Sequence, residues 1–147
     1  MVGKARSRED RIVVYSRNME RPEDWLHFVH FPYFIARWRE LRFSDDDLRV
    51  LETLIMAAPT RAPVVQGTGG LRKIRFARSN TNRGSSGGAR IGYAYIPEFD
   101  AVGIFAVFAK DQQDNFTNEQ KGAIREGIRK FKIWLEKTEA ARRDEQK

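Results

Sequence analysis

The 147-residue sequence contains no cysteine, which excludes disulfides, cysteine-ligated zinc, iron–sulfur clusters and thiol catalysis. Its two histidines, His27 and His30, both fall in a predicted strand and are expected to be packing residues rather than catalytic groups. No apolar run approaches the roughly 20 residues needed to span a bilayer. A secretory signal has an apolar stretch after its charged first residues, and this sequence has no such stretch there. We therefore expect a cytoplasmic protein without a membrane partner, metal or other cofactor.

Acidic residues are missing from one long part of the chain. No Asp or Glu occurs between Thr53 and Pro97, although the whole chain carries 27 basic and 20 acidic residues and a net charge of +7. This acid-free block holds seven cations: Arg61, Arg72, Lys73, Arg75, Arg78, Arg83 and Arg90. Such a block indicates a surface that binds an anionic partner. The alternative is a solvated basic face without a function.

Apolar spacing predicts one α+β domain in the order strand, two helices, three strands and a helix. The first strand covers residues 25–31, and Pro32 starts the first helix. Ser44 is a favourable N-cap for the second, where Asp45–Asp47 suit the helix dipole better than a metal site. Residues 101–109 form a continuous apolar run and are predicted to be the central strand. Thr117–Gln120 has the sequence of a capping box and starts the last helix.

Composition divides the chain into three parts. Residues 1–24 are expected to form a partly flexible N-terminal extension, residues 25–137 the folded domain, and residues 138–147 a charged C-terminal tail.

Side-chain alternation in the middle strands predicts a basic face. Lys73 and Arg75 point to one side of the first middle strand, and Arg90 shares a side of the next strand with the small residues Gly92 and Ala94. We expect these residues to form an open basic floor, bordered by a loop over residues 78–88. Arginine grips phosphate in a bidentate manner and lysine acts as a point charge, so the floor suits a nucleic-acid backbone.

Three blocks of the sequence resemble the HigB-like branch of the RelE/ParE toxin superfamily. They are GTGGLRKIRFA at residues 67–77, SGGARIGY at residues 86–93, and FAKD at residues 108–111 ahead of a Thr-led helix. The resemblance extends from about Phe28 to Phe131. It implies a RelE-like fold, in which two N-terminal helices pack on a small, curved, mainly antiparallel sheet.

The resemblance also implies a function. Most members of this branch are toxins of bacterial type II toxin–antitoxin systems that cleave mRNA on the ribosome. Cleavage proceeds without metal, by attack of the ribose 2′-hydroxyl on the adjacent phosphate. The implied partners are a cognate antitoxin, here expected to be of the helix-turn-helix type, and the ribosome with its mRNA.

Matched by position, the resemblance assigns the catalytic residues as Lys73, Arg75, Arg90 and Lys110. Arg72, Arg78, Arg83 and Phe116 are expected to bind RNA. Two positions depart from the family pattern. Phe116 falls near a position where relatives often carry a tyrosine or another polar residue, and Ser85 stands where relatives frequently have a lysine.

Two other functions remain open from the sequence. One is a non-enzymatic binder that inhibits DNA gyrase, as ParE-type relatives do without the basic cluster. The other is a basic nucleic-acid-binding domain without catalysis.

Overall fold

The computed structural model describes residues 13–15, 26–77, 88–110 and 115–145. In chain order, these residues form strands β1 (Val13–Tyr15) and β2 (His27–His30), helices α1 (Pro32–Glu40) and α2 (Asp45–Ala57), strands β3 (Arg72–Phe76), β4 (Ala89–Ile96) and β5 (Ala101–Ala109), and helix α3 (Asn118–Glu145). A short 3₁₀ helix, Pro97–Phe99, joins β4 to β5. The predicted α+β class and the predicted order of elements from β2 onward are confirmed.

The described strands form one mixed, five-stranded sheet in the order β1-β2-β5-β4-β3. Strands β2 and β5 are parallel, and the other described neighbours are antiparallel. The apolar strand β5 lies at the centre, as its composition predicted, because a strand covered on both faces needs apolar residues throughout. Strand β1 comes from the segment expected to be an extension, and its backbone pairs with β2 at the sheet edge.

The two predicted side-chain caps, at the starts of α2 and α3, form hydrogen bonds to the backbone. The Ser44 hydroxyl accepts from the Asp47 N–H at 3.0 Å, and the Asp47 carboxylate accepts from the Ser44 N–H at 2.8 Å. At α3, the Thr117 hydroxyl accepts from the Gln120 N–H at 3.1 Å, and the Gln120 side chain accepts from the Thr117 N–H at 2.9 Å. These reciprocal bonds satisfy N–H groups that a helix start leaves without partners.

The sheet has a hydrophobic core on each face. Helices α1 and α2 cover the first face, where Phe34, Trp38 and Leu51 belong to one buried cluster with residues of β4 and β5. Helix α3 covers the second face, where Ile128 and Phe131 belong to another cluster. The sheet is therefore the middle layer of three, and helix α3 shields part of its second face from solvent.

Helix α3 extends well beyond the second core. Its last buried residue is Leu135, but the helix continues to Glu145, so residues 138–145 of the charged C-terminal segment are helical. A helix of 28 residues is about 42 Å long. Among the described residues, no helix has both the length and the apolar character that crossing a bilayer requires.

Candidate nucleic-acid interface

Three of the four candidate catalytic cations lie on one face of strands β3 and β4. Lys73 is opposite Gly92, and Arg75 is opposite Arg90, in the antiparallel register of these strands. Directly opposite residues have neighbouring side chains on the same side of a sheet. Lys73, Arg75 and Arg90 therefore share one face, as alternation predicted, and it is the face that α3 partly covers.

The three cations differ in their exposure. Arg75 is exposed, whereas Lys73 is half-buried and its Nζ donates to Oδ1 of Asn115 at 3.2 Å. Arg90 is only 2% exposed, so the expectation that it lies on an open, solvated floor is wrong. The cause is its position on an inner strand, directly opposite Phe108 of β5, which belongs to the second core.

The predicted open space above Gly92 is filled. A Cβ atom added at Gly92 would lie 2.7 Å from Cδ2 of Leu71 and 3.2 Å from Cζ of Phe116. Ala94 is also buried and belongs to the same cluster as these two side chains. The small residues of β4 therefore admit core side chains rather than leaving room for a ligand.

Phe116 is one of those core side chains. It is 7% exposed, and its ring lies perpendicular to that of Phe108 with centroids 5.1 Å apart. The expectation that Phe116 offers a stacking surface to RNA bases is therefore not met. Its loop position, two residues before α3, brings it under the start of the helix instead of exposing it to solvent.

Arg72 has a structural role on the opposite face of β3. It is paired with Tyr93, and its guanidinium donates to the carbonyl oxygens of Thr60 at 2.9 Å and Ala62 at 2.7 Å. These bonds attach the segment after α2 to the sheet. Arg72 was expected to bind RNA, but it lies on the face opposite to the candidate catalytic Lys73, because a single step along a strand reverses the face.

Lys110 lies at the end of the sheet where Arg75 and Arg90 face each other. It directly follows β5, is exposed, and its backbone N–H donates to the carbonyl oxygen of Gly88 at 3.3 Å. The pairing of Ala89 with Ala109 fixes this position. The remaining two predicted RNA-binding residues, Arg78 and Arg83, lie outside the described residues.

Three polar neighbours of this face were not singled out from the sequence. Asn115 accepts from Lys73 across 42 residues of sequence, and Arg125 donates to the carbonyl oxygen of Gly67 across 58 residues, at 2.8 Å. Lys121 lies one helical turn before Arg125. No local pattern marks these residues, since their proximity depends on where α3 packs.

A groove of about 1100 Å³ adjoins the buried end of the cation face. Aromatic side chains of β5 and α3, including Phe105, Phe108 and Phe131, contribute to its apolar lining. Arg37 and Glu40 of α1 lie at one side of it and form an ion pair with each other at 3.3 Å. The groove therefore offers an apolar surface, in contrast to the exposed cations beside it.

The buried polar pair of the first core lies away from these cations. His30 and Glu52 are almost fully buried, with Nε2 and Oε2 2.9 Å apart, and the His30 ring stacks on Phe34 with centroids 6.0 Å apart. His30 is thus a packing residue, as predicted. Among the described residues, no group of three or more histidine and carboxylate side chains could hold a metal ion.

The arrangement as a whole can bind a phosphate ester at an exposed arginine, next to a half-buried lysine and a buried arginine. Electrostatic attraction is stronger at such a partly water-excluded site than in bulk water. No family model matches the sequence.

Proposed function

We propose that this chain is the toxin of a type II toxin–antitoxin pair, with a RelE-like fold, and that it is an endoribonuclease that cleaves mRNA on the ribosome. The observation that carries the proposal is the direct pairing of Arg75 with Arg90 across β3 and β4. Like charges placed directly opposite each other destabilise a sheet, so this pair suits a site that a phosphate group occupies.

The surrounding sequence and structure support an anionic substrate. The block from Thr53 to Pro97, which contains both arginines, has no acidic residue. Lys73 lies on the same face as Arg75 and Arg90, and Lys110 lies at the same end of the sheet as the arginine pair. The exposed Arg75 and Lys110 and the half-buried Lys73 can contact one RNA backbone, and the buried Arg90 lies directly beneath this contact, opposite Arg75.

In the proposed reaction, Lys73 in its neutral form accepts the proton of the ribose 2′-hydroxyl, and the 2′-oxygen attacks the adjacent phosphorus. The bond to the 5′-oxygen of the next nucleotide breaks. The products are a 2′,3′-cyclic phosphate and a 5′-hydroxyl end, and no water or other co-reactant is consumed. The exposed Arg75 stabilises the extra negative charge that develops on the phosphoryl oxygens, and the positive charge of the buried Arg90 opposite it adds to this stabilisation. Lys110, as its ammonium ion, donates a proton to the leaving 5′-oxygen at the end of β5.

The partners in this proposal are the ribosome with its mRNA and a cognate antitoxin of the helix-turn-helix type, which places the protein in the cytoplasm. A net charge of +7 favours an antitoxin segment with acidic residues. Co-expression with the neighbouring reading frame should give a stoichiometric complex. A chain that purifies alone and is harmless on overexpression would argue against this partner.

The central experiment compares Arg75→Ala with Arg142→Ala. Both residues are exposed, and both variants lose one positive charge, but Arg142 lies near the end of α3. Induced wild type and Arg142→Ala should arrest growth and translation and produce new 5′-hydroxyl RNA ends. Arg75→Ala should lose these effects by a hundredfold or more in cleavage rate, which is typical for removal of a transition-state donor.

One observation favours RNA binding without cleavage as a second candidate. Phe116, near the position where relatives often carry a polar residue, is buried in the second core. Purified protein that binds ribosomes or RNA in an Arg75-dependent manner but produces no new RNA ends would support this candidate. DNA damage ahead of translation arrest would instead indicate gyrase inhibition, and would contradict both RNA-directed functions.

A further inference from the structure

The glycine-rich turn before β3 is exposed and lies next to α3. Gly67, Gly69 and Gly70 have positive φ angles of 86°, 76° and 118°, which L side chains rarely adopt. All three are exposed, while Thr68 between them is buried and its hydroxyl accepts from the Leu71 N–H at 3.0 Å. The buried Thr68 therefore anchors the turn to the protein interior, while the three glycines remain exposed.

Two cations of α3 lie against this turn. A Cβ added at Gly67 would be 3.6 Å from Cδ of Lys121, and one added at Gly69 would be 3.4 Å from Cγ of Arg125. The Arg125 guanidinium also donates to the carbonyl oxygen of Gly67 at 2.8 Å. Only one of its five N–H groups is needed for that bond, so the others remain able to bind an anion.

Two backbone donors of the turn, the N–H groups of Gly67 and Gly69, have no hydrogen-bond acceptor among the described residues. Successive N–H groups in a turn that includes left-handed residues form a concavity that binds anions. Together with Lys121 and Arg125, this turn has the donors of a phosphate site.

The turn is continuous with the cation face of β3. Leu71 follows the turn and packs in the second core, on the α3 side of the sheet, and Lys73 and Arg75 point to the same side at the next two alternate positions. From Leu71 to Arg75 the strand rises about 13 Å. One RNA strand can therefore follow β3 from the turn to the paired arginines.

We infer that the turn at residues 66–70, with Lys121 and Arg125, is a second phosphate-binding site, which holds the backbone of the RNA strand several nucleotides from the scissile phosphate. The inference deepens the proposed function and rests on RNA being its substrate. Neither the turn nor α3 takes part in the proposed chemical step, so loss of this site weakens RNA binding and leaves bond cleavage itself intact.

The first test measures binding of a single-stranded oligonucleotide that resists cleavage, with 2′-O-methyl riboses, over a range of salt concentrations. Each phosphate contact with a single strand contributes about −0.7 to the slope of log K against log salt. Lys121→Ala/Arg125→Ala should weaken binding at least tenfold at low salt and reduce the slope by about 0.7 or more. The matched control, Lys137→Ala/Arg142→Ala, removes the same charge from the exposed end of α3 and should leave the slope unchanged.

The second test follows the backbone amides of Gly67, Gly69 and Gly70 by NMR during titration with the same oligonucleotide and, separately, with inorganic phosphate. The oligonucleotide should shift these amides in the wild type, and the double variant should lose the response. Lys121→Ala is a further variant, which removes one cation and leaves Arg125, the residue that bonds to the turn, unchanged. It should also weaken binding, which separates loss of a contact from loosening of the turn.

The outcomes distinguish this inference from the proposed function. Unshifted glycine amides together with an unchanged salt slope in the double variant would overturn the inference, even if the wild type cleaves mRNA. A response to inorganic phosphate but not to the oligonucleotide would also overturn it and identify a site for free phosphate. Shifted amides and a reduced slope in a protein that cleaves no RNA would support the second site and refute only the nuclease.

Discussion

Arg75→Glu should stabilise the fold and abolish toxicity at the same time. Arg75 is exposed and directly opposite Arg90, so the substitution replaces a like-charge pair by an opposite-charge pair. Cross-strand charge pairs contribute roughly 0.2–1 kcal/mol in either direction. The free energy of unfolding should therefore rise by about 1 kcal/mol, which corresponds to about 3 °C in Tm for a chain of this size.

Salt and a neutral variant separate the causes of this effect. Arg75→Gln only removes the repulsion and should give about half of the gain. In 1 M salt the screening length is about 3 Å, so both gains should largely disappear. Arg142→Glu makes the same charge change at the far end of α3 and should have little effect on stability or toxicity.

The assay combines urea unfolding at low and high salt with growth after induction. If Arg75→Glu lowers the free energy of unfolding at low salt, Arg75 has a structural ion-pair role and the like-charge argument fails. If the stabilised variant still arrests growth, the arginine pair is not part of the toxic site.

Three further changes test the burial of individual side chains. Phe116→Ala should cost about 3–5 kcal/mol of stability in urea unfolding, because it removes a buried ring from the second core. Arg90→Glu should destabilise by a similar amount, about 3–5 kcal/mol, because it places a carboxylate at a position only 2% exposed. Burial raises the pKa of Tyr93, whose hydroxyl donates to the carbonyl oxygen of Pro59 at 2.8 Å. Above pH about 10 the unfolded chain loses this proton first, so stability should fall with pH more steeply in wild type than in Tyr93→Phe.

A specific result would contradict each of these three predictions. A Phe116→Ala protein that keeps its stability but loses RNA affinity would show that Phe116 is exposed and stacks on RNA bases. A folded and stable Arg90→Glu protein would mean that this side chain reaches solvent. Parallel pH profiles for wild type and Tyr93→Phe between pH 9 and 12, a range of about three units around the ordinary tyrosine pKa, would mean that Tyr93 ionises freely in the folded protein.

Local patterns in the sequence were sufficient to predict the order of elements from β2 onward, the side-chain caps of α2 and α3, and the central strand. A cap depends on residues three positions apart, and alternation in a strand depends on neighbours, so neither needs long-range information. The same alternation correctly assigned Lys73, Arg75 and Arg90 to one face. Strand β1 was missed because three residues of strand give too short a pattern to identify.

Only the tertiary structure decided which parts of that face remain open. Periodicity predicts which residues share a side of a sheet, but it does not predict what covers that side. Helix α3, far along the chain, packs on the second face, and with it Phe116 becomes a core residue. Arg90 is buried on an inner strand while its partner Arg75 on the edge strand stays exposed. The contacts of Lys121 and Arg125 with the glycine turn likewise join segments more than 50 residues apart, and long-range packing alone brings such segments together.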